Sequence, residues 1–580
     1  MLKRLAGCVR EYRLPTLLTL IFIVGEVIIE VFIPFITSKL VNQIEAGAPI
    51  AVVLRYGGIL IALAMLSLAC GAIAGYECAK ASAGFAKNLR RDLFSRIQSY
   101  SFENIDRFSS SSLVTRMTTD VSNVQMAFMM IIRTAIRAPL MLVFAIVMAY
   151  VMGGALATSY VVLVPFLAFG LYLVSRRAMP AFRRVFKKYD RLNESIEENV
   201  RAMRVVKGFA REEYEKEKFG AASEDIARDF TRAERIVALN NPLMQICLYV
   251  NMIFVLLVGS RLVISSGGTT INVGEMSAML TYGFQILIQL MMLGMIYVIL
   301  TMSAESAKRI GEVLDETPAL ASPADAVAEV RDGSIEFDHV SFRYSEKAER
   351  FALSDVCLKI APGMTVGILG GTGSSKSTLV QLIPRLYDVS EGTVRVGGLD
   401  VRRYDLDALR GAVAMVLQKN LLFSGTIRDN LRWGNPDATD EEMAEACRIA
   451  QADEFVRAFP DGYDTYIEQG GTNVSGGQKQ RLCIARALLR RPKILILDDS
   501  TSAVDTRTDA RIRQGMRRTL PETTKIIIAQ RVASVEDADL ILVMDNGAIA
   551  AAGTHETLLE TCDIYREIHA QQTRGGERDE

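Results

Sequence analysis

The stretch GILGGTGSSKSTLV, Gly367 to Val380, follows a strand-like apolar run and opens a helix-like one. A glycine-rich loop between a strand and a helix is the setting of a phosphate-binding loop. There the backbone N–H groups of Gly370, Gly371, Thr372, Gly373, Ser374 and Ser375 are expected to wrap a β-phosphate. The helix start, with Thr378 just inside it, adds a partial positive charge. Lys376 is expected to reach the β- and γ-phosphates, and Ser377 to give its hydroxyl to Mg2+. The implied ligands are therefore ATP and Mg2+. One departure is visible: the strict pattern has Gly immediately before the lysine, and here Ser375 stands there. If that residue needs φ > 0, Ser costs about 1 kcal/mol. If it lies in the helical region, Ser is tolerated.

Farther along, KILILDDSTSAVD (Lys493 to Asp505) ends an apolar strand on two carboxylates, Asp498 and Asp499. Asp498 is expected to bind Mg2+ through water, opposite Ser377. Between the two stretches lies NVSGGQKQRLCIARALL, in which Val474, Ser475, Gly476, Gly477 and Gln478 open a strong helix. Two glycines let backbone approach an anion, and a helix start supplies unpaired N–H groups. Because the chain has its own phosphate loop, this second element is expected to serve the nucleotide of another subunit.

The rest of the chain divides in two. At 580 residues it is too long for one core. Half of it is hydrophobic and the mean hydropathy is +0.22. Lys plus Arg and Asp plus Glu both total 66, so net charge points to no nucleic-acid partner. The eight cysteines form no CxxC or Cys/His spacing, so no zinc site is expected. Lys3, Arg4, Arg10 and Arg13 precede a long apolar run without a cleavage pattern, which argues against a signal peptide. Six membrane helices are expected near 16–40, 52–77, 138–157, 159–176, 243–265 and 273–301, each close to the ~20 residues needed to span a bilayer. The second-to-third and fourth-to-fifth links are long and carry basic clusters such as KNLRRDLFSR and RRAMPAFRRVFKK. Excess Lys and Arg marks the cytoplasmic side, so both termini are expected inside. The long links have helical periodicity and are expected to continue the membrane helices into the cytoplasm. From about Ser334, strand-like runs alternate with helical ones, as in a mostly parallel α/β domain. The expected domains are a membrane domain at 1–310, a linker at 311–333 and a nucleotide-binding domain at 334–580.

Taken together these motifs resemble an ABC transporter of the exporter type over essentially the whole chain. The resemblance implies further roles. Tyr344 in FRYSE matches the aromatic residue that stacks on adenine. Gln418 in VLQKNLLFSGTI matches the glutamine that contacts Mg2+ and the attacking water. Glu468 in YIEQGG matches the acidic residue that touches the intracellular helices, and Asp505 matches the aspartate that crosses the dimer interface. Coupling helices are implied near Ser110–Thr115 and Ala202–Ala210. In the family, two such domains close head to tail, each ATP lying between one subunit's phosphate loop and the other's signature.

Two positions closest to the reacting phosphate depart from the family. Where a catalytic Glu usually follows the magnesium aspartate, this chain has Asp499. Its carboxylate falls short by about one C–C bond, ~1.5 Å, a displacement that can cost roughly 10²-fold in rate. Where the family carries a His, IIIAQR places Gln530. An amide can hydrogen-bond a γ-phosphate but cannot take a proton. The three histidines, His339, His555 and His569, lie elsewhere. The pair resembles the degenerate-site subunit of bacterial heterodimeric multidrug exporters. The implied partner is a second half-transporter with intact Glu and His, whose active site VSGGQ would complete. Bacterial plasma (inner) membrane, a lipid environment and a hydrophobic or cationic small-molecule cargo are expected. Glu26 and Glu30, four residues apart in the first span, are candidates for the cargo cavity, with a salt bridge to Arg133 or Arg137, or solvent exposure near the outer leaflet, as the structural alternatives. An importer of siderophores and an ATP-gated regulatory or channel-like protein are the alternative functions.

Overall fold

The computed structural model describes residues 2–346, 348–500 and 502–576; residues 577–580 of the expected nucleotide-binding domain lie outside them. The chain divides into two compact units, one of residues 1–98 and 110–316, the other of residues 99–109 and 317–580.

Among the described residues, the first unit holds six long helices that carry the apolar runs, α1 (Arg13–Glu45), α2 (Ile50–Gln98), α3 (Thr134–Gly153), α4 (Thr158–Arg201), α5 (Asn240–Ser266) and α6 (Val273–Asp315), and a seventh, polar one at Glu212–Val237. Each expected span falls on one of them, although the third helix ends four residues before the expected 157. Among the described residues, five continuous helical segments are long and apolar enough to cross a membrane. One of them, Ser110–Phe182, holds both α3 and the start of α4, separated by a 3-10 turn at Gly154–Ala157. α2 has 49 residues, which at 1.5 Å per residue is about 74 Å. That outruns a hydrocarbon core of about 30 Å, and α4 and α6, at 44 and 43 residues, do the same.

α1 shows how burial is divided. Ile23, Val27, Val31 and Ser38 are buried on one face, at helical spacing. Leu14, Leu17, Ile21 and Ile28 are exposed on another, as expected of side chains that meet lipid. Polar anchors fix the packing. Buried Tyr282 of α6 donates its hydroxyl to the Val31 carbonyl at 2.7 Å, and buried Tyr160 of α4 donates to the Met279 carbonyl at 2.6 Å. In an apolar setting such bonds have no water to compete with them. Asp120 is fully buried and accepts from Ser306 Oγ at 2.8 Å and Arg309 Nε at 2.8 Å.

Glu26 and Glu30 both face Arg137, at 3.5 and 2.6 Å. The salt-bridge alternative is therefore the geometry observed. A Cβ on Gly71 would lie 3.3 Å from the Glu26 carboxylate, so this glycine lets α2 approach the acid closely.

The second unit is built on a six-stranded sheet. Its strands are β1 (Thr365–Gly370), β2 (Val413–Val416), β3 (Ile494–Asp498), β4 (Thr524–Ile528), β5 (Leu540–Asp545) and β6 (Ala548–Gly553), in spatial order β6-β5-β1-β4-β3-β2. All neighbours are parallel except β5 and β6. β3 is buried throughout because both faces are covered. Leu495 and Leu497 enter one hydrophobic core, Ile494 and Ile496 the other. A four-stranded antiparallel sheet, which includes Ile335–Phe342 and Leu353–Ile360, accompanies it.

Two boundaries differ from expectation. α6 runs to Asp315, five residues past the expected end of the membrane domain, and residues from Thr317 onward group with the second unit. Helices do occur at Ser110–Thr115 and Met203–Gly208. Yet the stretch that joins the nucleotide-binding unit is the preceding one, 99–109, with its helix Phe102–Phe108. Polar side chains tie it there: Asn104 donates to the Thr317 carbonyl at 3.1 Å, and Tyr387 donates to Asp106 at 2.8 Å. Sequence periodicity does not separate two adjacent short helices, and these tertiary bonds do.

Candidate functional site

β1, β4, β3 and β2 are consecutive neighbours and mutually parallel, so their C-terminal ends open on one edge. Ligands of open α/β sheets sit at that edge. There the chain brings together the 370–376 loop after β1, Gln530 after β4, Asp498 and Asp499 at the end of β3, and Gln418 after β2. A cleft of about 300 Å³ lies among them, lined by Lys376, Ser377, Gln418, Asp498, Asp499 and Gln530 with the loop.

The loop geometry follows from contacts. Gly370 has φ 152°, and a Cβ there would lie 2.2 Å from the Met544 carbonyl. Ser375 has φ 68° and ψ 26°, a left-handed conformation. The first of the two alternatives for Ser375 therefore holds, with a cost of about 1 kcal/mol relative to Gly. Ser375→Gly is expected to stabilise the nucleotide-binding unit by about 1 kcal/mol by removing that strain, as chemical denaturation would report; unchanged or lower stability would refute this. Lys376 Nζ donates to the carbonyls of Gly370 and Gly371 at 3.0 and 2.8 Å and to Ser374 Oγ at 3.2 Å. Burial pulls its pKa down.

Ser377 Oγ donates to Asp498 Oδ1 at 3.0 Å. Burial pushes the Asp498 carboxyl up; the Ser377 bond opposes this and the Asp499 charge adds to it. A hydroxyl and a carboxylate converging at this distance are hard oxygen donors and fit Mg2+.

Asp499 is buried, with φ 48°. Its Oδ2 accepts two amide N–H groups, from Gln530 Nε2 at 2.8 Å and Gln418 Nε2 at 3.3 Å. The two family-divergent positions thus touch each other. Gln530 is itself held from outside: Gln572 of the C-terminal helix Asp563–Gly576 donates to the Gln530 carbonyl and accepts from Val532 N–H, both at 2.8 Å. Sequence reading missed Gln572, because nothing in its neighbourhood marks it.

Tyr344 is half exposed and its hydroxyl is 2.9 Å from Thr378 Oγ1. Its ring stands edge-on to Tyr387, with centroids 5.2 Å apart. Ser475 caps the helix Gly476–Leu489 in a reciprocal capping box with Gln478. A Cβ on Gly477 would lie 2.9 Å from the Ala503 carbonyl. Gln480, also missed from sequence, accepts the Ala503 N–H at 3.0 Å and donates to Ser502 Oγ at 3.3 Å. It fastens the signature helix to the loop that ends in Asp505. Asp505 caps the helix Thr506–Thr519 by accepting from Thr508 N–H at 2.9 Å. Glu468 is exposed and accepts from Thr472 Oγ1 at 2.6 Å. Val474 is buried beneath the signature.

An apolar multi-helix unit joined to a phosphate-loop α/β unit defines an ATP-driven membrane transporter subunit. Comparison with known proteins agrees. Residues 16–291 match the ABC transporter transmembrane region, and residues 353–502 match the ABC transporter family. The uncharacterized ABC transporter ATP-binding protein YfiB of Bacillus subtilis (strain 168) is 36% identical over 563 residues, 97% of each chain. A fatty acid ABC transporter ATP-binding/permease protein of Mycobacterium bovis is 33% identical over 480 residues, 83% of this chain and 75% of that protein. A bacterial Atm1-family ABC exporter solved with ATP bound superposes with a TM-score of 0.83 at 24% identity, over 97% of this chain and 98% of that one. The chain belongs to the ABC transporters, as an exporter-type half-transporter with membrane and ATP-binding regions fused. It is an ATPase coupled to transport, and such half-transporters pair with a second ABC subunit or a copy of themselves.

Proposed function

We propose that this chain is one half of a heterodimeric exporter and that its own phosphate loop forms a slowly hydrolysing ATP site. The observation that carries the reading is the Asp499 carboxylate, short by one methylene and bound on one oxygen by the Gln418 and Gln530 amides. With Oδ2 taken by two amides, Oδ1 is left to meet the attacking water, at the end of a side chain one methylene too short to reach it well. Gln530 cannot take a proton.

In this reading Tyr344 stacks on adenine, residues 370–378 wrap the phosphates and Lys376 leaves the loop carbonyls for the β- and γ-phosphates. Ser377, Asp498 and the Gln418 carbonyl oxygen would hold Mg2+. Bound there, the ion neutralises phosphate charge. Val474 to Gln478 and Asp505 would complete the partner's active site, and Glu468 would meet the intracellular helices. Coupling is assigned to the helices Phe102–Phe108 and Met203–Gly208.

The basic long links support a reading in which both termini lie on the cytoplasmic side of a bacterial inner membrane. The proposed cargo is an amphipathic or drug-like small molecule, for which the fatty acid transporter among the relatives offers support. The pairing of Glu26 and Glu30 with Arg137 argues against these acids as a free site for a cationic cargo.

The purified chain alone is expected to bind ATP but to hydrolyse it slowly. Coexpression with a half-transporter that carries the catalytic Glu and His should give robust turnover, measured as phosphate release in proteoliposomes. Rapid single-chain turnover abolished by Lys376→Ala overturns the heterodimer reading.

A further inference from the structure

The strand Ile335–Phe342 pairs antiparallel with Leu353–Ile360. Phe337 faces Leu358 and Val340 faces Val356, so two residues, Asp338 and His339, stand against the single Cys357. In the next step Phe342 faces Leu353, so Ser354 and Asp355 stand against the single Ser341. Two β-bulges therefore lie one step apart on opposite strands. Each holds a non-glycine residue in the left-handed region: His339 at φ 49° and Asp355 at φ 46°. Such conformations are sterically costly for residues that carry a Cβ. Bulges re-aim side chains out of the strand's alternation.

The result is a compact group on the exposed surface. One ligand atom from each of His339, Asp355 and Cys357 lies within 4.8 Å of the other two, and all three residues are exposed. His339 Nδ1 is 2.7 Å from Asp355 Oδ1. Of the eight cysteines, all among the described residues, Cys357 alone is exposed; Cys70 is half-buried and the others are buried.

We propose that His339, Asp355 and Cys357 form a binding site for a divalent transition-metal ion of the zinc class. The imidazole, one carboxylate oxygen and the thiolate supply three ligands, and water takes the fourth position. Neighbouring ligand atoms of a tetrahedral zinc site lie about 3.3 to 3.5 Å apart, from bond lengths of about 2.0 and 2.3 Å. The observed spacings, 2.7 Å for one pair and at most 4.8 Å for the others, bracket that value, so modest side-chain rotations would suffice. Binding releases the Cys357 thiol proton to solvent. The mixed nitrogen, oxygen and sulfur set selects against Mg2+ and Ca2+, which prefer oxygen alone. It is chemically distinct from the oxygen donors Ser377 and Asp498 at the nucleotide site.

The probe is Co2+ alone, titrated into the full chain in detergent under reducing conditions. The expected result is one equivalent bound, with a thiolate-to-cobalt charge-transfer absorption that Zn2+ abolishes. Cys357→Ser should remove that absorption, and His339→Asn should weaken binding at least ten-fold. Both substitutions are on the surface, and ATP binding should be unchanged, which checks that the variants are folded. Absence of the charge-transfer absorption in the natural chain, or its persistence in Cys357→Ser, overturns the site. Cobalt absorption lacking thiolate character, as exposed carboxylates or the nucleotide site would give, also overturns it.

Discussion

Asp499→Glu combined with Gln530→His is expected to raise ATP turnover at this chain's own site by about 10²-fold, the factor associated with misplacing a reacting group by about 1 Å. The longer side chain carries a carboxylate about 1.5 Å farther toward the cleft, and the imidazole replaces an amide donor by a group that can exchange a proton. Both changes are needed because the residues touch, at 2.8 Å. Residues in direct contact are not additive, so each single change should give much less than half of the gain on a logarithmic scale. Two features limit the rise: position 499 has φ 48°, which Asp tolerates better than Glu, and Ser375 retains its strain. The measurement is phosphate release by the assembled transporter with the partner's own site inactivated. Turnover that stays at the starting level in the double variant would show that something other than these two residues slows the site.

Gly477→Ala is expected to lower ATPase activity of the assembled transporter by at least about 10²-fold while leaving ATP affinity of the isolated chain within two-fold. The new Cβ would meet the Ala503 carbonyl at 2.9 Å, closer than real Cβ contacts allow. The start of the signature helix or the 499–505 loop must shift, and a shift approaching 1 Å at a transition-state contact costs roughly that factor. The split between the two readouts matters more than the size of the loss. A signature that serves the partner's nucleotide affects turnover across the dimer but not binding to Lys376 and its loop. Loss of ATP binding in the isolated chain would instead mean that the signature acts on its own subunit's nucleotide.

Much of the molecule was legible in the sequence, for reasons that are local. Apolar runs near twenty residues long can be satisfied only as membrane or deeply buried helices. The phosphate loop is contiguous, so its residues are neighbours whatever the rest of the chain does. The same holds for the signature and for the two acids that end β3. The departures at Asp499 and Gln530 were readable because each sits at a fixed offset from its own strand.

Tertiary structure decided what depends on distant residues or on backbone angles. Whether Ser375 is strained is a question of φ, and composition does not reveal it; the value is 68°. That Gln418 and Gln530 bind one oxygen of Asp499 follows from the order of β4, β3 and β2. Gln572 reaches the Gln530 backbone from a separate helix, 42 residues away. Glu26 and Glu30 find Arg137 on another helix, 107 residues from Glu30. The same reason explains the group of His339, Asp355 and Cys357. Along the chain it has no metal-ligand spacing, and only the antiparallel register with its two bulges gathers it. Local pattern by itself determined the elements, the nucleotide motifs and the family. Which side chains meet was decided by register, strand order and left-handed turns, because those set distances between residues that the sequence keeps apart.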